Sequence, residues 1–295
     1  VPSANIKDNK MSIRNYSLSV VGPRSYLRAL LAIARKDWQQ YWRYPLNAVS
    51  SVLQPIVWLT PVYFMGQAFS LHGKAQGFAA YSGTSDYMSF VLLGAALSNF
   101  ISSVFWGMGY SLKNDMDAGV LEANWLAPIP RPLLLVGRTL TSLLITAITS
   151  VLMLLLAGLL FGFHPTGNAL VSLLPVLPML VGLYGFGFAF AAVVLIIREA
   201  NTLVDISNFL VTILSGESFP VNVLPRWLLP ISLALPMTYG FDAARGLLLH
   251  TRTLIPILYE IGILVVFMFV AVLLGMAAFR RLERRVRRIG TLGQH

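Results

Sequence analysis

Residues 215–245 read SGESFPVNVLPRWLLPISLALPMTYGFDAAR. The stretch is too apolar for a water-facing loop. It also cannot form one straight membrane-crossing helix, because it contains Pro220, Pro225, Pro230 and Pro236. Each proline removes a backbone donor and clashes with the preceding turn. Non-helical backbone at membrane depth survives only where protein or a water-filled cavity surrounds it. The stretch therefore needs a membrane protein around it.

Composition supplies that setting. The chain has 295 residues, 56% of them hydrophobic and 12% charged, with a mean hydropathy of +0.70. A soluble domain carries roughly 25% charged residues, so this chain has too little polar surface for a water-covered globule. A spanning helix needs about 20 largely apolar residues, and several such runs occur. They are continuous rather than alternating, which argues against a β-barrel. The fold class is all-α and polytopic. The absence of cysteine excludes disulfides and thiolate metal sites. Residues 1–23 lack a signal-peptide core and read as a flexible polar tail, with Met11 a candidate start.

After Pro23 the chain reads RSYLRALLAIARKDWQQYWRYP. At 100° per residue Leu27, Leu30, Leu31, Ala34, Trp38 and Tyr41 share one side. Arg24, Arg28, Arg35, Lys36, Gln39 and Arg43 share the other. This predicts a basic amphipathic helix over 24–44 lying in the headgroup plane. Six spans follow, over about 46–69, 87–111, 133–163, 170–197, 203–214 and 254–279. The third contains Gly158-x-x-x-Gly162, and the fourth contains Gly182, Gly185 and Gly187; such small residues allow close helix packing. The fifth span is short. Residues 281–295 read as a basic tail.

The chain has 22 lysines and arginines against 12 acids. With both termini in the cytoplasm, 18 of the 22 fall on the cytoplasmic side. That bias sets the orientation and accounts for the net charge of +10 without nucleic acid as a partner. An even number of spans follows. Nothing of domain size is left outside the membrane.

No catalytic constellation emerges, and the four histidines (His72, His164, His250 and His295) lack ligand spacing. Gly73-Lys74 is followed by Ala75 and has no upstream glycine, so it is not a phosphate-binding loop. Any active transport needs a partner or an ion gradient. Residues 112–130 form the sharpest cytoplasmic feature. Asp115, Asp117 and Glu122 accompany an apolar face of Met116, Val120 and Trp125 before Pro128 stops the helix. They fit a docking element or an ordinary loop helix. The opening stretch fits an outer hairpin over 215–250, with short helices over about 224–235 and 238–250. Asp242 and Arg245 lie three residues apart and can pair there. Glu260 lies about six residues into the last span, where an ionisable group is a functional hypothesis, or at the outer headgroup level, where it would be an ordinary surface charge.

The opening stretch resembles the ABC-2 type permeases, the membrane subunits of one class of ABC exporters, through Ser215, Gly216, Phe219, Pro220, Leu224, Pro225, Trp227, Pro236, Tyr239 and Arg245. Gly119, Leu121, Glu122 and Pro128 resemble the family's coupling region. The resemblance covers about 24–280. It implies two membrane subunits, in the plasma membrane, around a central path. Each would dock an ATP-hydrolysing subunit that holds ATP and Mg, with no cofactor in this chain. It implies a coupling helix around Asp115–Leu126, including Trp125, with Arg35 and Trp38 on the same docking face. It also implies a gate in the outer hairpin. Phe100, Phe209 and Glu260 are candidate pathway residues, and the apolar aromatic spans favour a hydrophobic or amphipathic substrate. A stand-alone secondary transporter and a membrane-embedded lipid or glycan enzyme remain the alternatives.

Overall fold

The computed structural model describes residues 23–70, 75–109, 131–194 and 200–289, with isolated positions at 113, 119 and 197. The described residues are helical with no strand. In chain order α1 is Pro23–Arg43, α2 Pro45–Ala68, α3 Gln76–Ser82 and α4 Tyr87–Ser102. α4 runs on as a π-helical stretch over Ser103–Gly109. Then come α5, Arg131–Phe161, α6, Ala169–Val194, and α7, Ala200–Leu214. The hairpin holds a 3₁₀ turn over Val221–Val223, α8, Leu229–Ala234, and α9, Pro236–Leu249. The last helix, α10, is Ile257–Ile289.

Five of these helices (α2, α4 with its π stretch, α5, α6 and α10) are long and apolar enough to cross a membrane. The protein is an all-α polytopic membrane protein. The expected fifth span, α7, is shorter. At 15 residues it reaches about 22 Å, against a hydrocarbon core of about 30 Å. Two other expectations change. Residues 76–82 form a helix where the sequence suggested only a connection. α10 also continues past the expected end at Phe279 through the basic stretch to Ile289, because arginines are good helix formers and no Pro or Gly interrupts.

α4 is the most enclosed span, with Val91, Leu92 and Ile101 fully buried. α2 is mostly exposed: Leu46, Val57, Trp58 and Phe64 point outward, as lipid-facing residues should. α6 packs most extensively on α10, and the seam is made of glycine. A Cβ on Gly275 would sit 1.9 Å from the Gly185 carbonyl oxygen, and one on Gly185 would sit 2.6 Å from the Val272 nitrogen. These backbones touch, which is what small residues permit between membrane helices. Gly187 similarly seats Val104 and Met108 of the π stretch.

Gly158-x-x-x-Gly162 is different. Gly162 has φ +83°, and its N–H donates to Gly158 O at 2.9 Å. The pair ends α5 with a left-handed glycine and is not a helix–helix seam.

α1 packs on α5. Ile33 lies where a Cβ on Gly137 would meet it at 3.0 Å, and Thr141 Oγ1 donates to Ala34 O at 3.4 Å. The apolar face of α1 is thereby divided. Leu30, Ala34, Trp38 and Tyr41 are half-buried, whereas Leu27 and Leu31 are exposed.

Candidate functional site

The hairpin begins as a helix terminus. Ser215 N–H donates to Val211 O at 2.9 Å and Gly216 N–H to Ile213 O at 3.0 Å. Gly216 has φ +79°, a left-handed conformation that favours glycine. Ser215-Gly216 is thus the C-cap of α7. The last carbonyls of a helix lack intrahelical partners and carry its negative dipole end. Here Ser232 Oγ donates to Leu214 O, the last carbonyl of the helix, and a cation holds the two carbonyls just beyond it. Arg245 Nη1 donates to Gly216 O at 2.6 Å, Nη2 donates to Glu217 O, and Nε donates to Phe90 O at 3.2 Å. Its guanidinium also lies 3.6 Å from the centroid of the Phe90 ring. Arg245 is only 3% exposed, so one side chain from α9 ties together α7, α4 and the hairpin. Gly94 makes room for it. A Cβ there would come within 2.0 Å of Glu217 O and 2.2 Å of Arg245 Nη2.

Asp242 does not pair with Arg245. Its Oδ2 accepts from Leu254 N–H at 2.6 Å. The Gly216 and Glu217 carbonyls lie outside any helix and compete successfully for the guanidinium because they would otherwise be buried without donors. Burial raises the Asp242 carboxyl above its ordinary range, and the Leu254 N–H opposes that rise.

The rest of the hairpin is bound by its own polar groups. Ser232 Oγ donates to Leu214 O, Thr238 Oγ1 to Ser232 O at 2.7 Å, and Tyr239 OH to Leu233 O at 2.9 Å. Asn222 Nδ2 reaches Tyr81 O of α3 at 3.1 Å. Thr166 and Gly167 N–H groups donate to Leu248 O at 3.1 and 2.8 Å. The first short helix was expected over 224–235, but only Leu229–Ala234 is α-helical. Pro225 starts a turn instead, its carbonyl accepting from Leu228 N–H at 2.9 Å. Pro220 precedes the 3₁₀ turn, Pro236 is the first residue of α9, Phe219 is half-buried, and Trp227 is 72% exposed.

Beside this hairpin a cleft opens between α4 and α7. Ser98, Asn99 and Ser102 line it from α4. Asp205, Asn208, Phe209 and Thr212 line it from α7, and Glu217 lies at its hairpin end. Ser102 Oγ donates to Asn208 Oδ1 at 3.2 Å across it. Asn99 Nδ2 donates backward to Ser150 Oγ of α5 at 3.3 Å. Burial raises the Glu217 carboxyl, and the charge of Arg245 opposes the rise. Among the described residues, no basic side chain lines the cleft.

Of the expected pathway residues, Phe209 lines the cleft, whereas Phe100 belongs to the packed core. Glu260 is fully buried and does not line the cleft. Its Oε1 accepts from Ile255 N–H at 3.4 Å, and its Oε2 has no partner. Arg35 is exposed and Trp38 half-buried. Asp115, Asp117, Leu121, Glu122 and Trp125 lie outside the described residues. Gly119 is an exposed turn position with φ +67°. The polar lining was missed from sequence. Ser98 and Ser102 are spaced i, i+4, and Asp205, Asn208 and Thr212 are spaced i, i+3, i+7, a helical stripe in otherwise apolar segments.

A polytopic bundle with a polar cleft under a broken, apolar hairpin defines a membrane transport protein. Residues 28–249 match the family described as ABC-2 type transporter, and the chain belongs to that family. It is 25% identical over 211 residues to the daunorubicin resistance ABC transporter permease protein DrrB1 of Streptomyces coeruleorubidus, covering 70% of this chain and 69% of that one. Another relative is named "Probable doxorubicin resistance ABC transporter permease protein DrrC", from Mycobacterium tuberculosis (strain ATCC 25618 / H37Rv). It is 27% identical over 191 residues, covering 62% of this chain and 64% of that one. The ycf38 transport permease of Cyanophora paradoxa is 22% identical over 235 residues, covering 78% and 77%. The chain is an ABC exporter permease of the kind that works with an ABC ATPase subunit.

Proposed function

We propose that two copies of this chain form the pathway of an exporter that moves a hydrophobic or amphipathic substrate out of the cytoplasm. The observation that carries this reading is the α4–α7 cleft. It combines hydroxyl, amide and carboxyl groups with the 62%-exposed Phe209, the mix that an amphipathic molecule needs. Residues on α7 and the exposed faces beside it would be completed by the second copy, a homodimer in the simplest arrangement. The excess of basic residues supports an orientation with the α1 end of the bundle on the cytoplasmic side of the plasma membrane. The hairpin would then lie at the outer end and act as the exit gate. Two ATPase subunits, holding ATP and Mg, would dock around residues 112–130 and the exposed face of α1 near Arg35. The names of the relatives support a drug as substrate; a lipid or glycolipid fits the same cleft.

The test is ATP-dependent transport of daunorubicin, used as the probe, by the chain and its co-purified ATPase in proteoliposomes. Uptake that needs ATP and falls with Phe209→Ala supports the reading. Loss of the bound ATPase in Glu122→Ala plus Trp125→Ala, with the chain still folded, supports the docking assignment. A second reading has its own observation: half-buried Asp242 of α9 and fully buried Glu260 of α10 are two neighbouring carboxyls that feel each other's charge. If the chain purifies without an ATPase and transport follows a proton gradient, that pair becomes the coupling site of a secondary transporter.

A further inference from the structure

We propose that the elbow between α1 and α2 is a binding site for one anionic glycerophospholipid of the leaflet at the α1 end. The site has two contiguous parts. An apolar groove runs between α2 and α5, walled by Val49, Leu53, Ile145, Ile148 and Leu152. A polar pocket lies over the elbow, with Lys36, Gln39, Gln40 and Arg43 around it and no carboxylate among the described residues that line it. Trp38 and Trp42 line both parts, with ring centroids 5.7 Å apart.

The arrangement follows from local sequence. Pro45 separates the amphipathic helix from the span and opens the new helix. Tyr41 OH bonds Ser51 Oγ at 2.8 Å, holding α1 back against α2. Aromatic rings are thereby fixed at the level where tail meets headgroup, which is where Trp and Tyr concentrate in membranes.

Dimension and charge choose the occupant. Ile145 to Leu156 of α5 spans about 16 Å, close to the half-thickness of a hydrocarbon core of about 30 Å. The groove therefore takes a chain from one leaflet. Lys36, Arg43 and the glutamine amides offer only donors and positive charge to a phosphate, apart from the amide oxygens. A second copy of this chain would bring the same cations to the same place and be repelled. An anionic headgroup is attracted.

The experiment uses the full chain in phosphatidylcholine nanodiscs. Tryptophan quenching is titrated with phosphatidylglycerol carrying brominated tails, and separately with brominated phosphatidylcholine. The site signal is the difference between the wild type and Trp38→Phe plus Trp42→Phe. Half-saturation is expected at about 30-fold less phosphatidylglycerol, since each basic residue near an anionic lipid contributes roughly fivefold. Lys36→Gln plus Arg43→Gln should abolish that preference and leave quenching by phosphatidylcholine intact, while Lys36→Arg plus Arg43→Lys should keep it. Equal half-saturation for the two lipids, or a preference that survives the double glutamine substitution, overturns the proposal. So does a disulfide-linked dimer of Val49→Cys, which is interpretable because the chain has no other cysteine.

Discussion

The two helix pairs α6–α10 and α4–α7 are built on opposite terms. At the first, Gly185 and Gly275 bring backbones into contact and nothing polar intervenes. At the second, the helices stand apart and the gap is lined with hydroxyls, amides and carboxyls. The first seam gains dispersion contacts that any added atom would spoil. The second leaves its polar groups able to exchange partners with water or a ligand. The contrast assigns rigidity to one half of the bundle and adaptability to the other. The hairpin joins the halves, since α9 packs on both α6 and α4 while Arg245 holds the end of α7.

The largest expected effect therefore belongs to the joint. Arg245→Met should destabilise the protein by about 3 kcal/mol or more. Its removal leaves buried carbonyls without a donor, at roughly 1–3 kcal/mol each. A thermal midpoint in detergent measures this. A midpoint near that of the wild type would show that water replaces the guanidinium and that the joint is weaker than described.

Next comes the tight seam. Gly275→Leu must push the two backbones apart, and overpacking of this kind costs about 1–3 kcal/mol, occasionally more. A fully folded variant at wild-type yield would break the contrast between the pairs. Gly216→Trp follows. It forces a bulky L-residue into a left-handed conformation, about 1–2 kcal/mol, and meets Val221 and Phe219 as well. Transport should fall with stability, and wild-type transport in this variant would argue against a tight gate.

Glu260→Gln should do less. The side chain is enclosed between α9 and α10, and glutamine keeps its shape and its bond from Ile255. Its new N–H₂ can donate toward Asp242, so the midpoint should stay within about 1 kcal/mol. ATP-driven transport at equal expression should be unchanged, since Glu260 does not line the cleft. Lost transport with an intact midpoint would favour the ion-coupled reading.

Much of this was legible in the sequence, for reasons that differ between elements. The prolines of the hairpin act locally through φ and the missing donor, so the break after Leu214 could be placed. Ser215-Gly216 could be marked only through the family resemblance; the left-handed Gly216 that ends α7 supplies its physical reason. The partner of Arg245 could not be read, because proximity along α9 pointed to Asp242 while the carbonyls come from residues far apart in the chain. Gly94 carried no signal at all; it matters only because Arg245 passes over it. Residues 76–82 were too short for periodicity to show. The polar stripe on α7 was present in the sequence at helical spacing, but three polar residues among apolar neighbours do not by themselves mark a cleft.

The smallest effect on stability is the one that sharpens the comparison most. Asn208→Ala removes one neutral bond across the cleft, that from Ser102, and a bond of this kind is worth about 1 kcal/mol. Water in the cleft can replace the lost partner, so the midpoint should move by less than that. Transport should respond differently. If α4 and α7 separate and rejoin around a substrate, Asn208 is one of few groups able to orient its polar end, and uptake should fall several-fold at unchanged fold and ATPase binding. A seam substitution such as Gly275→Leu must lower stability and transport together. A cleft substitution must lower transport alone. If Asn208→Ala loses both in the same proportion as Gly275→Leu, the α4–α7 pair is as structural as the α6–α10 pair, and the pathway has to be sought on another face of the bundle.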